Sequence, residues 1–92
     1  MTDANILIAI GRLTFVFAKT MPEVPHEYVI RTKENWDDFA VLWQVITERS
    51  EPGTFTGTDG KTRRYRYFYA GDGWRYWRVG LPMLINRAKV PG

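Results

Sequence analysis

Hydrophobic positions along the chain predict two helices. From about Ala4 to Ala18, apolar residues recur at the three- and four-residue spacing of one helix face, and Thr2 or Asp3 can cap this segment. A second helix is predicted from the capping residue Asn35 to about Ser50. Two acidic residues fall in its first turn, where the helix dipole favours negative charge. Both segments carry a broad apolar face, so we expect both to pack against other elements.

Alternating and turn-rich segments predict strands. His26, Tyr28 and Ile30 alternate with Glu27, Val29 and Arg31, which is typical of a strand with two different faces. Proline and glycine mark a linker and a turn around the other strands. The remaining predicted segments are a linker over 19–25, a short strand over 54–56, a turn over 58–61 and a last strand over 83–87.

The central feature is a predicted β-hairpin from Arg63 to Val79, in which arginines and aromatic rings flank Gly71-Asp72-Gly73. We expect an even-length loop, which fixes the residues that share a face. One face then holds Tyr65, Tyr67, Tyr69, Trp74, Tyr76 and Arg78, and the other holds Arg64, Arg66, Phe68, Arg75, Trp77 and Val79. An odd loop with a left-handed glycine would mix these sets. Neither face is plainly apolar, so the tyrosines can belong to the core or to a binding surface.

The length and composition fit one ordinary globular domain. The chain has 92 residues, 45% of them hydrophobic and 25% charged, which is enough for a single core over 1–92. The predicted elements make this an α+β protein. Two helices should pack on one face of an antiparallel sheet of about four to five strands, with the aromatic and arginine-rich hairpin at its centre.

The charge distribution and the numbers of cysteine and histidine limit the classes of function that this chain can have. The net charge is +3, and nine of the thirteen Lys and Arg residues lie from Arg49 onward. Such a field attracts phosphate backbones, nucleotides or acidic protein surfaces. The chain lacks cysteine, which excludes disulfides and zinc-thiolate sites, and it has one histidine, too few for a histidine-rich metal site. The first apolar segment is too short to span a bilayer and lacks signal-peptide features. We therefore expect a cytoplasmic protein without membrane contact, cofactor or metal.

Candidate chemistry favours binding over catalysis. His26 with Glu27 or Glu23 could act as a general base, but no nucleophile motif, phosphate loop or paired acidic motif accompanies it. Interleaved arginines and aromatic rings are the composition of sheet surfaces that stack bases and hold phosphates. The same residue types are enriched at protein interfaces. A nucleic-acid or nucleotide binder and a protein-binding inhibitor both remain open, with an enzyme using His26 as a third class.

Several segments resemble one family of small uncharacterised bacterial and phage proteins. The matching residues are Phe17-Ala18-Lys19-Thr20-Met21-Pro22, Pro25-His26-Glu27-Tyr28 with Arg31, Gly73-Trp74-Arg75-Tyr76-Trp77, and Ile85-Asn86-Arg87-Ala88. The likeness covers most of the chain past residue 15. This chain departs from the family after Trp77, where Arg78-Val79-Gly80 replaces a Thr-Met-Gly segment followed by a longer connection. The resemblance implies a phage or mobile-element setting and interference with a host defence system in the manner of an anti-CRISPR protein.

The resemblance also implies that the matched positions form one site, made of His26, Tyr28, Arg31, Tyr76, Trp77, Asn86 and Arg87. With the hairpin residues added, the predicted ligand-binding set is His26, Tyr28, Arg31, Arg64, Arg66, Tyr67, Tyr76, Trp77, Asn86 and Arg87. The expected partner is nucleic acid, a nucleotide-like ligand or a host defence complex. A homodimer through helix 4–18 is a further possibility, with Leu7, Ile8 and Phe15 as its contacts.

Overall fold

The computed structural model describes residues 3–18, 26–56 and 60–90. The predicted cap Thr2, the linker 19–25 and the first two residues of the turn 58–61 lie outside these residues. The elements are α1 (Asp3–Arg12), β1 (Val16–Phe17), β2 (Glu27–Ile30), α2 (Trp36–Arg49), β3 (Glu51–Thr56), β4 (Thr62–Tyr69), β5 (Trp74–Val79) and β6 (Leu84–Lys89). None of the helices in the described parts of the chain is long and apolar enough to cross a bilayer.

The strands form one antiparallel sheet in the order β1-β2-β6-β5-β4-β3. This confirms the α+β class, but the sheet has six strands where four to five were expected. The additional strand is β1, which lies inside the segment predicted to be helical. Its residues Val16 and Phe17 pair with Tyr28 and Glu27 of β2.

The first helix is shorter than predicted. It ends at Arg12, because the following residues are aromatic and β-branched and pair as a strand. Phe15 consequently lies outside the helix and packs edge-on against Tyr76, with 6.0 Å between the ring centroids. Leu7 and Ile8 remain on the exposed side of α1. Phe15 therefore does not belong to a helical dimer surface, and the homodimer itself stays a prediction.

The second helix agrees with the prediction at both ends, but Asn35 does not cap it through its side chain. Its Oδ1 accepts from the backbone N–H of Thr32 at 2.7 Å, and its Nδ2 donates to the carbonyl of Ile30 at 3.0 Å. Asn35 thus fixes the turn between β2 and α2 rather than the first helical amides.

The hairpin register differs from the prediction. Phe68 pairs with Tyr76 and Tyr69 pairs with Arg75, so an odd number of residues connects the paired positions. Gly71 and Gly73 both adopt positive φ, and the Asp72 carboxylate accepts from the backbone N–H of Trp74 at 3.1 Å. The predicted face sets were therefore wrong on β5. Tyr65, Tyr67 and Tyr69 share a face with Arg75, Trp77 and Val79, while Arg64, Arg66 and Phe68 share the other with Trp74, Tyr76 and Arg78.

The main core lies between the helices and one face of the sheet, which we call the helix face. Ile6, Ile10 and Leu13 from the α1 region and Phe39, Leu42, Val45 and Ile46 from α2 pack with Val29, Phe68, Tyr76 and Ile85 of the sheet. A smaller cluster of Tyr67, Trp77 and Ala88, with Tyr65 and Val79 against it, occupies the opposite face, which we call the open face. No helix in the described residues contributes to this second cluster.

Candidate functional site

The strands β3 and β4 form a two-stranded ribbon that continues past β5. Six residue pairs join them, from Glu51–Tyr67 to Thr56–Thr62. In the described residues, β4 pairs with β5 at Phe68 and Tyr69 alone. The part of β4 that carries most of its arginines therefore has a neighbouring strand on one side. We refer to residues 51–56 and 60–66 as the basic ribbon.

The basic ribbon concentrates positive charge. It carries four cations, Lys61, Arg63, Arg64 and Arg66, and within its described residues Glu51 is the one acid. Lys61, Arg64 and Arg66 are exposed, and Arg63 is half-buried. Alternation along β4 places Arg64 and Arg66 on one face of the ribbon and Arg63 on the other. The positive field thus reaches both faces of the ribbon.

Arg64 and Arg66 of the ribbon differ in whether internal hydrogen bonds hold their side chains. Arg66 is held at the end of α2, since its Nε donates to Ser50 Oγ at 3.1 Å and its Nη2 to the Ser50 carbonyl at 2.6 Å. Arg64 makes no side-chain hydrogen bond or ion pair with any described residue. A free guanidinium can bind a phosphate without first breaking an internal contact.

The aromatic rings of the open face pack on one another. The Trp77 ring lies 5.6 Å from Tyr67, 5.8 Å from Tyr65 and 5.8 Å from His26, measured between centroids. Tyr67 is 1% exposed and Trp77 is 5% exposed. These two rings are part of the protein interior, so neither offers a free face on which a base can stack.

Buried polar groups accompany these rings. The hydroxyl of Tyr67 and Oδ1 of Asn86 are buried and have no hydrogen-bond partner among the described residues. Burial raises the pKa of Tyr67 to about 12, while the Arg75 guanidinium, 4.9 Å from the ring centroid, acts in the opposite direction. Unpaired buried polar groups are rare and each costs stability.

Tyr76 and Arg87 lie on the helix face. Tyr76 is fully buried, and its hydroxyl donates to Asp72 Oδ2 at 2.5 Å. Burial and this hydrogen bond raise the pKa of Tyr76. Arg87 donates from Nε and Nη2 to Glu27 Oε1 at 2.8 and 2.7 Å. Both side chains are therefore committed to internal contacts.

The sheet divides the predicted site residues. His26, Tyr28, Tyr67, Trp77 and Asn86 lie on the open face, and Arg64, Arg66, Tyr76 and Arg87 lie on the helix face. Arg31 follows β2 and stacks on Trp36, with Cζ 4.6 Å from the ring centroid. The seven positions joined by the family resemblance consequently do not share one surface.

Sequence reasoning omitted Lys61 and Arg63 from the ligand-binding set. Their signal was available, because both flank the Gly60 turn and continue the charge run of β4. Within the described residues, no group of three or more His, Asp or Glu side chains is placed to hold a metal ion. Comparison with protein-family models, curated proteins and solved structures gave no match to this chain.

Proposed function

We propose that this chain is a non-catalytic binding protein that engages nucleic acid through its basic ribbon. The observation that carries the proposal is the placement of Lys61, Arg63, Arg64 and Arg66 on a ribbon with a single acid among its described residues. A two-stranded ribbon fits the major groove of a duplex, and exposed guanidinium groups hold phosphates. A nucleotide-like ligand or a nucleoprotein complex carries the same anionic groups.

The arginines favour phosphate contact over base reading. Arg64 forms no hydrogen bond or ion pair with a described residue, and Arg66 is pre-positioned by Ser50. Tyr67 and Trp77 are buried, so these two rings do not offer a face for base stacking. We therefore expect weak sequence preference and an affinity dominated by counterion release, with dissociation constants on the order of 10⁻⁶ to 10⁻⁴ M at physiological salt.

The test is fluorescence anisotropy with labelled single strands and duplexes at several salt concentrations. Each phosphate contact contributes about 0.7 to 0.9 to the slope of log K against log salt. The double variant Lys61→Ala/Arg64→Ala should lose about 1.4 to 1.8 of that slope. Lys33→Ala is the matched control, because Lys33 is an exposed cation between β2 and α2, near the other end of the sheet order.

The anisotropy experiment has one result that supports the ribbon as the binding site and two that contradict it. Lower affinity and a smaller slope in the double variant, with Lys33→Ala unchanged, support the ribbon. No binding at low salt, or equal loss in all variants, would overturn the proposal.

A second candidate is a protein-binding inhibitor of a host defence complex, in the phage or mobile-element setting that the family resemblance implies. Val16 and Ile30 favour it, since both apolar side chains lie half exposed on the open face. A purified CRISPR effector complex is the probe, at salt that abolishes oligonucleotide binding. Inhibition by the wild type and its loss in Ile30→Asp would support this candidate, whereas inhibition by neither would exclude it for that complex.

A further inference from the structure

A groove of about 270 Å³ opens at one end of the helix face. Phe17, Glu27, Trp74 and Lys89 line it from this face, and His26, which precedes β2 and packs its ring against Trp77 of the open face, also borders it. These residues come from or adjoin β1, β2, β5 and β6, which lie side by side at this end of the sheet. The groove is separate from the basic ribbon, which lies at the β3 end.

The strand register explains why these side chains converge. Phe17 pairs with Glu27, Glu27 pairs with Arg87, and Trp74 pairs with Lys89. Paired residues in antiparallel strands point to the same face, so Phe17, Glu27 and Arg87 form one row of side chains, and Trp74 and Lys89 form the neighbouring row. Phe17 lies on β1 and Trp74 on β5, with β2 and β6 between them. Phe17 therefore lies at one side of the groove and Trp74 at the other.

The walls suit a planar apolar group. Phe17 is 55% exposed although it belongs to a strand, and Trp74 is partly buried at the margin of the core. The two-residue edge strand β1 pairs with β2 through its backbone, so this pairing does not require the exposed ring of Phe17. An exposed aromatic ring beside polar groups is a usual means of holding a flat heterocycle.

The polar groups at the groove are the Arg87–Glu27 ion pair and Lys89. The Arg87 guanidinium lies 3.9 Å from the Phe15 centroid and 4.1 Å from the Trp74 centroid, and it is bound to Glu27 Oε1. Glu27 Oε2 accepts no hydrogen bond from a described residue, so it can accept one from a ligand N–H. Lys89 is exposed, with Nζ 5.6 Å from the Trp74 centroid, and forms no ion pair with a described residue.

From these contacts we infer that the groove binds a single nucleotide. The base stacks on the exposed ring of Phe17, its N–H edge faces Glu27 and its phosphate meets Lys89, while Trp74, whose ring carries the Arg87 guanidinium, lies at the far side of the groove. The volume is at the low end of small-molecule sites, which fits one nucleotide better than a dinucleotide cofactor. The inference rests on the proposed function, from which it takes the nucleotide class of ligand. It places the binding site on different residues.

In the first experiment, AMP, adenosine, ribose 5-phosphate and indole-3-acetate are each titrated into the folded protein. Calorimetry and tryptophan fluorescence measure the binding of each compound. AMP should bind saturably. Adenosine lacks the phosphate and ribose 5-phosphate lacks the base, so each should bind at least about tenfold more weakly. Indole-3-acetate that binds as well as AMP would overturn the nucleotide assignment, since the site would then select aromatic acids.

Variants locate the binding. Phe17→Ala should weaken AMP binding by about tenfold or more, because one stacking wall is lost. Val16→Ala is its matched control, being the neighbouring exposed residue on the opposite face. Lys89→Gln should reduce AMP binding to the level of adenosine, while Lys33→Gln should not. Circular dichroism confirms that each variant is folded.

Two results distinguish this inference from the proposed function. Loss of oligonucleotide binding in the Lys61→Ala/Arg64→Ala variant with AMP binding intact supports two separate sites. Oligonucleotide binding by the wild type without any AMP binding overturns the groove inference and leaves the ribbon. AMP binding that Phe17→Ala and Lys89→Gln leave unchanged also overturns the groove, because the nucleotide then binds elsewhere.

Discussion

Tyr67→Phe should stabilise the protein, although it removes a polar group from a tightly packed side chain. Tyr67 is 1% exposed and its hydroxyl lacks a hydrogen-bond partner among the described residues. An unpaired buried polar group costs about 1 to 3 kcal/mol. Phenylalanine removes that cost and leaves a void smaller than a methyl group, which costs less than about 1 kcal/mol. The net gain in unfolding free energy is roughly 1 kcal/mol, or about 4 to 8 °C in Tm.

Tyr76→Phe is the matched comparison on the other face. Tyr76 is equally buried, but its hydroxyl donates to the Asp72 carboxylate at 2.5 Å. Hydrogen bonds to charged groups contribute about 1.5 to 3 kcal/mol, so this variant should be destabilised by roughly 1.5 kcal/mol. Urea unfolding followed by circular dichroism measures both variants. Equal destabilisation of the two would refute the reasoning, since the Tyr67 hydroxyl would then have a partner such as an ordered water.

The same tyrosine predicts a loss of stability at alkaline pH. Burial raises the pKa of Tyr67 from 10.0 to about 12, so between these values the folded protein holds a proton that the unfolded chain has released. The contribution of Tyr67 is fully present below pH 10 and is lost as the pH rises towards 12. Tyr67→Phe should therefore show a shallower decline in urea midpoint over this range than the wild type. An identical decline would show that Tyr67 does not titrate in this window.

Two further substitutions test the packing and the partly buried ion pair. Gly53→Ala should destabilise by about 1 to 3 kcal/mol in urea unfolding, because a Cβ there would lie 2.6 and 2.8 Å from ring carbons of the buried Tyr67; an unchanged midpoint would mean that the ring can move. Arg87→Met should cost about 1 to 2 kcal/mol by leaving the half-buried Glu27 uncompensated, whereas Arg12→Met, which loses an exposed contact of 3.8 Å, should change stability by less than about 0.5 kcal/mol. Equal effects of the two arginine variants would contradict the role given to burial.

The α+β class and the second helix could be predicted because they depend on long periodic patterns. The helix from Trp36 to Arg49 combines an acidic first turn, an apolar face and a proline-glycine stop. The sequence contained a signal that α1 ends before residue 18. Phe15, Val16 and Phe17 are β-formers, and Gly11 lowers the helical preference of the segment before them. Apolar spacing alone does not distinguish a buried helix from a short strand.

The hairpin register could not be derived from the sequence. Gly71 and Gly73 allow both an even and an odd connection, and the choice depends on contacts that form only in the fold. Asp72 binds the backbone of Trp74 and the hydroxyl of Tyr76, which stabilises the longer loop. That single choice moves Tyr76 under the helices and Trp77 to the open face. Tyr76 and Trp77 lie on opposite faces in either register, because neighbouring side chains alternate along a strand.

The register also decides which arginines remain available to a ligand. Arg78 stacks on Trp43 at 5.1 Å and donates to Thr47, and Arg75 stacks on Tyr67. Alternating arginines and aromatic rings look the same in the sequence whether the rings hold the arginines or receive bases. In this fold many of the rings hold arginines. In the proposed binding modes, affinity should therefore depend most on Arg64 of the ribbon, which contacts no ring among the described residues, and on Lys89, which lies 5.6 Å from the Trp74 centroid but forms no ion pair with a described residue. We expect single substitutions of these two cations to have the largest effect on affinity.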